Sequence, residues 1–336
     1  MTKFVKLSIA ALALVGMSAT AGTLEDTKKQ GFVKCGIDGG LPGFSEVVSG
    51  GVYKGIDVDG CRAVAAAVLG DASKVKYVSL NAKERLAALQ SGEIDVLVRN
   101  TTWTQTRDTS LGLNFAGVNY YDGQGFMVRK DLGVKSAKEL AGASICIQTG
   151  TTTELNVADY FRANGMEYKA VAYDTNDQVV QSYENGRCDV LTSDASQLYG
   201  LRTKLKDKEN HIVLPEIISK EPLGPVVRQG DDAWFNIVRW TFNAMVAAEE
   251  AGITSENADA MLKSDNPTVK RILGVEGKMG ANLGLNADFA YQIVKQVGNY
   301  GEVFERNVGV KTPLNIERGL NALWTKGGLQ YSPPFR

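Results

Sequence analysis

Two nine-residue stretches share one pattern, LQSGEIDVL at residues 89–97 and YENGRCDVL at residues 183–191. In each, a helix end is followed by a glycine that stops the helix and then by a short apolar strand. Small polar residues come next, at positions 100–102 after the first strand and 192–194 after the second. Because open α/β sheets bind ligands at the carboxyl ends of their strands, the two stretches predict two similar α/β units, each with a polar cluster that faces a ligand. A chance match between two short strands is the alternative.

Apolar strands and helical stretches alternate along most of the chain, which is the pattern of the α/β class. The elements predicted in the first half are strands at 33–37, 75–80 and 94–99 and helices at 59–69 and 82–90. The elements predicted in the second half are strands at 126–129, 144–148, 168–173 and 188–191 and helices at 154–163, 176–184 and 195–205. This alternation agrees with two α/β units in one chain.

The N-terminus has the features of a secretory signal peptide. Lys3 and Lys6 form a positive segment, residues 7–15 form a short apolar run, and ATA at residues 19–21 provides a small-residue cleavage pattern. The apolar run is too short to span a bilayer, which takes about 20 residues. A surface helix of the folded domain is the alternative, and the nearly unbroken apolar run argues against it. Since no cysteine follows the cut, we expect a periplasmic protein without a lipid anchor, whose mature chain starts near Gly22.

The composition is that of an ordinary globular protein, with 44% hydrophobic and 22% charged residues. Residues 22–336 are enough for two lobes of roughly 100–200 residues each. The chain holds 37 basic and 38 acidic residues and has no run of Lys or Arg that could neutralise a phosphate backbone. We therefore expect no nucleic acid among its partners.

Four cysteines lie in the part that is expected to be exported: Cys35, Cys61, Cys146 and Cys188. An even number in an exported chain favours disulfides, although four cysteines allow three connectivities. The spacing favours Cys35–Cys61 and Cys146–Cys188, because each pair closes a local segment. A zinc site is the alternative, but the chain has no CxxC pair, and its single histidine, His211, adjoins an apolar run. We predict two disulfides and no metal.

The segment TTTE at residues 151–154 has the spacing of a capping box at the start of a helix. Capping alone is a sufficient explanation for it. A helix start also offers free N–H groups and the positive end of the helix dipole, which attract an anion. The chain has no GxxxxGK[ST] motif for a nucleotide phosphate, so a carboxylate would fit this place. Thr151 and Thr152 are therefore candidate contacts to a carboxylate.

Two charged residues could bind opposite ends of a zwitterion. Arg107 follows a predicted strand on a polar loop, and an arginine fork can hold a carboxylate through two parallel hydrogen bonds. Asp194 ends the second polar cluster and could pair with an ammonium group. Each has a simpler explanation, since Arg107 could be a solvated surface residue and Asp194 could cap the helix at 195–205.

Catalysis has weaker support. The chain has no GxSxG or HExxH motif, and His211 is the only imidazole that could act as a base. Carboxylates alone could serve glycosidase or dehydratase chemistry, with Glu154 as the nearest acid. A periplasmic enzyme, either a dehydratase or a cell-wall lytic enzyme, is thus the alternative function. A sensory ectodomain is a further alternative, and it would require a membrane helix or signalling domain downstream.

Several spaced motifs, taken in order, resemble the periplasmic polar-amino-acid-binding proteins of ABC transporters. The motifs are GID at 55–57, LQSGEID at 89–95, TWTQTR at 102–107, QTGTTTE at 148–154, GRCD at 186–189 and SD at 193–194. The resemblance runs from about residue 33 to residue 252. Two further segments, GGLPGFS at 39–45 and GLNALW at 319–324, are similar to the general L-amino-acid-binding subgroup, as is the long C-terminal extension.

The resemblance implies a role for each residue of the ligand site. Arg107 matches the arginine that holds the α-carboxylate of the ligand. Thr152, with the backbone N–H groups of its helix start, matches a second carboxylate contact. Asp194 matches the carboxylate that holds the α-ammonium, and Asn100 and Thr102 assist it.

The resemblance also implies which ligands are expected. Asp38 and Leu41 match first-loop positions that line the side-chain end of the pocket. Leu41 and Ala82 stand where the binders of basic amino acids carry aromatic residues. Without those aromatic rings, a broad or a polar and acidic range of L-amino acids is expected.

The fold implied is an α/β periplasmic-binding-protein fold of type II, with two lobes, two hinge crossings and the ligand in the cleft between the lobes. Lobe 1 would comprise residues 22–120 and 223–336, and lobe 2 residues 123–219. The hinges would lie near 119–123 and 219–224. The resemblance implies a monomer that binds an amino acid without a cofactor and delivers it to the membrane permease subunits of an ABC importer.

Overall fold

The computed structural model describes residues 22–336, and the predicted signal peptide lies outside the described residues. The strands are β1 (Val33–Ile37), β2 (Gly40–Leu41), β3 (Ser45–Val48), β4 (Val52–Lys54), β5 (Val75–Ser79), β6 (Val96–Leu97), β7 (Leu113–Phe115), β8 (Tyr120–Asp122), β9 (Gln124–Arg129), β10 (Ser144–Gln148), β11 (Lys169–Tyr173), β12 (Val190–Asp194), β13 (His211–Val213), β14 (Glu221–Leu223) and β15 (Val226–Arg228). The α-helices are α1 (Thr23–Gln30), α2 (Ile56–Leu69), α3 (Arg85–Gln90), α4 (Gln105–Ser110), α5 (Thr152–Ala163), α6 (Asn176–Glu184), α7 (Ala195–Arg202), α8 (Asp232–Glu250), α9 (Ala258–Met261), α10 (Pro267–Ile272), α11 (Met279–Asn282), α12 (Phe289–Val297) and α13 (Tyr300–Asn307).

Two five-stranded sheets form the frame of the molecule. The first has the strand order β5-β1-β6-β15-β7, and the second has the order β11-β10-β12-β9-β13. In each sheet one strand, β1 or β10, lies between two parallel neighbours, and antiparallel strands complete the sheet. β6 and β12 occupy equivalent places, and these are the strands of the two stretches that share a sequence pattern. The pattern therefore marks two α/β units of the same core topology, as the sequence predicted.

One disulfide crosslinks each unit, and in both units it starts from the strand that lies between two parallel neighbours. Cys35 of β1 is bonded to Cys61 of α2, and Cys146 of β10 is bonded to Cys188, two residues before β12. All four cysteines are buried and none is free. The predicted pairing is confirmed. His211 is buried as well, and its Nδ1 lies 2.8 Å from the hydroxyl of Tyr183.

The chain passes between the two sheets at two places, and each passage contains a short strand. β8 leads into the second sheet and β14 leads back to the first, and these two strands pair with each other in antiparallel fashion. The predicted hinges at 119–123 and 219–224 include β8 and β14. The lobe boundaries, at 22–120 with 223–336 and at 123–219, stay a prediction.

Several elements begin or end at residues other than those predicted. α3 starts at Arg85 rather than at residue 82, because the side chain of Asn81 accepts hydrogen bonds from the N–H groups of Lys83 and Glu84 and holds these residues in a turn. β12 extends to Asp194, since its last residues pair with β9. The second polar cluster is therefore part of a strand and is held by its ladder.

The C-terminal extension packs on the first α/β unit. Its helix α12 contacts α2 and α8 through an apolar face that includes Phe289, Ile293 and Val294. This packing makes the extension an integral part of that unit. Within residues 22–336, no helix is both long enough and apolar enough to cross a membrane.

Candidate functional site

Arg107 is buried at the edge of the cleft, which excludes a solvated surface role. It lies on the short helix α4, whose start is capped by the Thr104 side chain. Its guanidinium donates from Nη1 to the backbone oxygen of Thr102 at 3.0 Å, which aims the fork from the first unit into the cleft. Burial lowers the pKa of Arg107, and the neighbouring Glu221 and Asp194 oppose that shift. A buried guanidinium of this kind is a binding group for a carboxylate.

Asp194 faces the same space from the second unit. Its carboxylate is buried and accepts a 2.6 Å hydrogen bond from Nε2 of Gln197. Burial raises the pKa of Asp194 well above its ordinary value, and the nearby Asp122 and Glu221 raise it further. The side chain makes no capping bond to the helix α7, so the capping interpretation is wrong. Arg85 and Arg107 of the first unit are close enough to oppose the rise in its pKa.

The start of α5 lies directly across the cleft from Thr102. Thr152 donates its hydroxyl to Oε2 of Glu221 at 2.9 Å, and its Oγ1 lies 3.3 Å from Oγ1 of Thr102. Thr151 caps the helix by accepting from the N–H of Glu154, as its spacing predicted. The Glu154 carboxylate accepts from the N–H of Gly150 rather than from that of Thr151. The capping box is therefore incomplete, because the return bond goes to the residue before the N-cap. The helix start is thereby tied to Glu221, whose charge acts on Arg107.

Asn100 has a left-handed backbone at the end of the first polar cluster, with a φ of 34°. Few residues other than glycine adopt this region, and asparagine is among those that do. The backbone N–H of Asn100 donates to Oδ2 of the buried Asp57 at 3.1 Å, which holds the turn. Strained turns of this kind cluster at binding sites.

Asp38 connects the two units. Its carboxylate forms a buried ion pair with Arg99 and accepts weak hydrogen bonds of 3.3 and 3.4 Å from Nδ2 of Asn176 on the opposite side of the cleft. Leu41, three residues further on, is fully buried in a hydrophobic cluster to which both units contribute. Lys204 reaches across to the backbone oxygen of Gly40 at 2.6 Å. The two units are therefore in contact, and the cleft is closed.

A cavity of about 360 Å³ remains in the cleft beside Asp38. Polar residues of both units line it, among them Asn81, Glu84, Gln148 and Asn176. Asp38 and Asn176, which are in contact across the cleft, both line this cavity. The closed cleft therefore still has room for part of a ligand beside that contact.

Sequence reasoning missed several charged residues that complete the cluster. Arg85 is buried, donates from Nη1 to the backbone oxygen of Arg99 at 3.1 Å, and has a buried Nε without a hydrogen-bond partner. Glu221 is buried on β14, and Asp122 lies on β8, the strand that pairs with it. The sequence offered one signal that charges are buried here: the predicted apolar strand at 94–99 ends in a charged residue, Arg99.

The buried carboxyls of this cluster make the ligand-free protein sensitive to pH. Burial raises the pKa of Asp57 from 3.8 to about 7 and that of Asp122 from 3.8 to about 6. The folded state therefore retains protons that the unfolded chain releases above about pH 4. We expect the contribution of these two carboxyls to the free energy of unfolding to fall as the pH rises from about 4 to about 7. Urea denaturation of ligand-free protein across this range should show it, with a shallower fall for Asp57→Asn. Identical profiles for the variant and the wild type would contradict the assignment.

Two similar α/β units, two crossings and a closed cleft lined by opposite charges define a two-lobed solute-binding protein of the type II fold. The matches to known proteins agree with this class. Residues 33–256 match the family model of bacterial extracellular solute-binding proteins, family 3. The chain belongs to this family, which is one of binding proteins rather than enzymes.

Similar proteins cover nearly the whole chain. The general L-amino acid-binding periplasmic protein of Rhizobium johnstonii is 60% identical over 98% of this chain and 97% of its own length. The glutamate/glutamine/aspartate/asparagine-binding protein of Rhodobacter capsulatus is 56% identical over 98% of both chains. An ABC transporter periplasmic binding protein from Brucella ovis, solved with glutathione bound, is 58% identical, with a TM-score of 0.93 over 94% of this chain and 100% of that chain.

Proposed function

We propose that this protein captures L-amino acids in the periplasm and delivers them to an ABC importer. The observation that carries the proposal is the placement of Arg107 on one unit and Asp194 on the other, both buried and close enough for each to shift the pKa of the other. Two fixed, buried charges of opposite sign match the α-carboxylate and α-ammonium that all amino acids share. The clamp therefore accounts for recognition of the common part of the ligand, whatever its side chain.

The other residues predicted from sequence have supporting roles in this proposal. Thr152 and the start of α5 give the carboxylate a second contact, and Thr151 fixes that helix start. Thr102 and Asn100 lie at the end of the first polar cluster, where they contact the ammonium end. Ligand contacts from both lobes favour the closed form, which the importer recognises.

The side-chain end of the ligand lies toward Asp38, Leu41 and the adjoining cavity. Arg85 brings a buried guanidinium whose Nε lacks a partner, and an anionic or amide side chain would supply one. This arrangement favours acidic and polar amino acids within a broad range. The names of the Rhizobium and Rhodobacter proteins agree with such a range. The cavity beside Asp38 could also admit a peptide of the size of glutathione, which the Brucella protein carries.

The proposed function also implies a localisation, a division into lobes and a set of partners. Residues 1–21 act as a cleaved signal peptide that exports the chain to the periplasm. The mature protein is a monomer with lobes at 22–120 with 223–336 and at 123–219, which rotate about 119–123 and 219–224. The partners are the membrane permease subunits that receive the closed, loaded form.

A thermal-shift screen of ligand-stripped protein tests the function. A ligand that binds only the folded state adds about 2.7 kcal/mol at a hundredfold excess over its Kd, so true ligands should raise the melting temperature by several degrees. We expect shifts with glutamate, glutamine, aspartate and asparagine, and none with a panel of sugars. Two analogues of glutamate serve as matched controls: 2-oxoglutarate lacks the ammonium and 4-aminobutyrate lacks the α-carboxylate, and neither should shift the transition.

A second measurement on the same samples separates binding from catalysis. Chromatography of each bound amino acid after prolonged incubation should recover it unchanged. Consumption of the ligand would instead favour a periplasmic enzyme, and the absence of a shift with every amino acid would refute the proposed function.

A further inference from the structure

One edge of the strand β8 is occupied by a side chain from the C-terminal extension. Asn321 accepts a 2.7 Å hydrogen bond from the backbone N–H of Tyr121 and donates from Nδ2 to the backbone oxygen of Tyr121 at 3.0 Å. On the β14 side, Tyr121 faces Pro222, which has no N–H to offer. The amide of Asn321 thus takes both polar groups of Tyr121, as a neighbouring strand would.

A second contact from the extension holds the residue before β8. The Tyr300 hydroxyl donates to the backbone oxygen of Asn119 at 2.9 Å and accepts from Nε2 of Gln330 at 3.2 Å. Tyr300, Asn321 and Gln330 are only 3–4% exposed. Because water cannot replace these bonds, breaking them leaves buried polar groups unpaired.

The same segment is anchored to the first lobe. The Arg318 guanidinium donates to the backbone oxygen of Asn321 at 2.9 and 3.1 Å and forms a two-point ion pair with Glu249 of α8 at 3.0 and 3.1 Å. It also packs over the rings of Tyr300 and Phe304. The contacts to residues 119–121 therefore tie that part of the chain to α8.

We propose that residues 300–330 form a hinge strap, which positions residues 119–121 on the first lobe and confines the rotation of the first crossing to Asp122 and the residues after it. The inference rests on the proposed hinges. It gives the extension a role in the binding equilibrium that the family fold does not require, since the family model ends at residue 256.

Loss of the strap has a defined consequence for binding. With residues 119–121 released, rotation spreads over more backbone bonds, and the ligand-free protein samples a wider set of open conformations. The closed form is then a smaller fraction of the ligand-free ensemble. The apparent Kd increases by the same factor by which that fraction decreases. Asn321 and Tyr300 are thus positioning residues that touch no ligand.

The test measures lobe separation without any ligand. Spin labels at Glu93→Cys and Glu167→Cys, two exposed positions on opposite lobes, report the distance distribution by electron–electron resonance. Asn321→Ala and Tyr300→Phe should each broaden the distribution and lengthen its mean, and should raise the Kd for glutamate about threefold to tenfold. Tyr300→Phe removes one hydroxyl only, so it retains the packing should Asn321→Ala fold poorly.

A matched control is available in Gln296, whose amide also bonds twice to lobe 1 backbone. It accepts from the N–H of Ala72 at 2.8 Å and donates to the oxygen of Gly70 at 3.0 Å, away from both crossings. Gln296→Ala should reduce stability while leaving the distance distribution and the Kd unchanged. Strap variants with the distribution of the wild type overturn the inference. A wild-type distance that does not shorten with glutamate overturns the hinges and the strap together, whereas binding itself would still be read from the thermal shift.

Discussion

Arg107→Ala is expected to abolish capture of every free amino acid, with an increase in Kd of about 100-fold or more. The guanidinium is buried, and removing one partner of a buried charge pair costs about 2–5 kcal/mol, at about 1.4 kcal/mol for each tenfold change in affinity. Because the α-carboxylate is common to all amino acids, the loss should be similar for glutamate and for asparagine. Isothermal titration of ligand-stripped protein measures it.

Two further substitutions make the result specific to the fork of Arg107. Arg107→Lys retains the charge but loses the two parallel hydrogen bonds, so its affinity should fall between those of the alanine variant and the wild type. Arg162→Ala removes an exposed arginine of the other lobe and should leave the Kd unchanged. Near-native affinity of the alanine variant would exclude Arg107 from the site.

The parts of the fold that could be predicted from the sequence are those with a local cause. β1 and β10 were predicted at their observed bounds because each is a short apolar run between polar segments. The two disulfides were predicted because each closes a short segment of chain. Arg107 and Asp194 were recognisable because each follows or ends an apolar strand.

The missed parts depend on partners that are distant in the sequence. Arg99 pairs with Asp38 across 61 positions, and Glu221 accepts from Thr152 across 69 positions. The residues that adjoin Arg99 and Glu221 in the sequence do not indicate these partners, so local sequence patterns cannot predict the charge network. For Asp194, whose position precedes a helix, the sequence left a cap open beside the contact to an ammonium group. Its carboxylate accepts from the side chain of Gln197 and not from the helix start, and the pairing of β12 with β9 holds its backbone.

Asp194→Asn should weaken amino-acid binding about 100-fold while leaving the ligand-free protein as stable as the wild type or more so. The asparagine retains the volume and the bond to Gln197, but the α-ammonium loses its buried counter-charge. The pKa of the Asp194 carboxyl is raised in the folded state, so this group lowers the stability of the ligand-free protein at a pH where it is ionised in the unfolded chain, and the substitution removes that penalty. A helix cap predicts the opposite, a loss of about 1 kcal/mol of stability with little change in affinity. Titration with glutamate and urea denaturation of the same preparation separate the two.

The pH dependence of binding provides an independent signature of the same charge. Only the ionised carboxylate can hold an ammonium group, so below its raised pKa the wild-type protein must release a proton to bind, and its Kd should increase as the pH falls. Asp194→Asn has no such proton, and its weaker Kd should be nearly constant over the same range. Asp189→Asn is the matched control, because Asp189 lies just before the same strand with a lowered pKa and bonds to Ser144 away from the cleft. It should retain both the affinity and the pH dependence of the wild type. A wild-type Kd that does not change on acidification, or a variant that changes in parallel with it, would assign the ammonium to another acceptor, with Glu221 the nearest alternative because it is the other buried carboxylate beside Arg107.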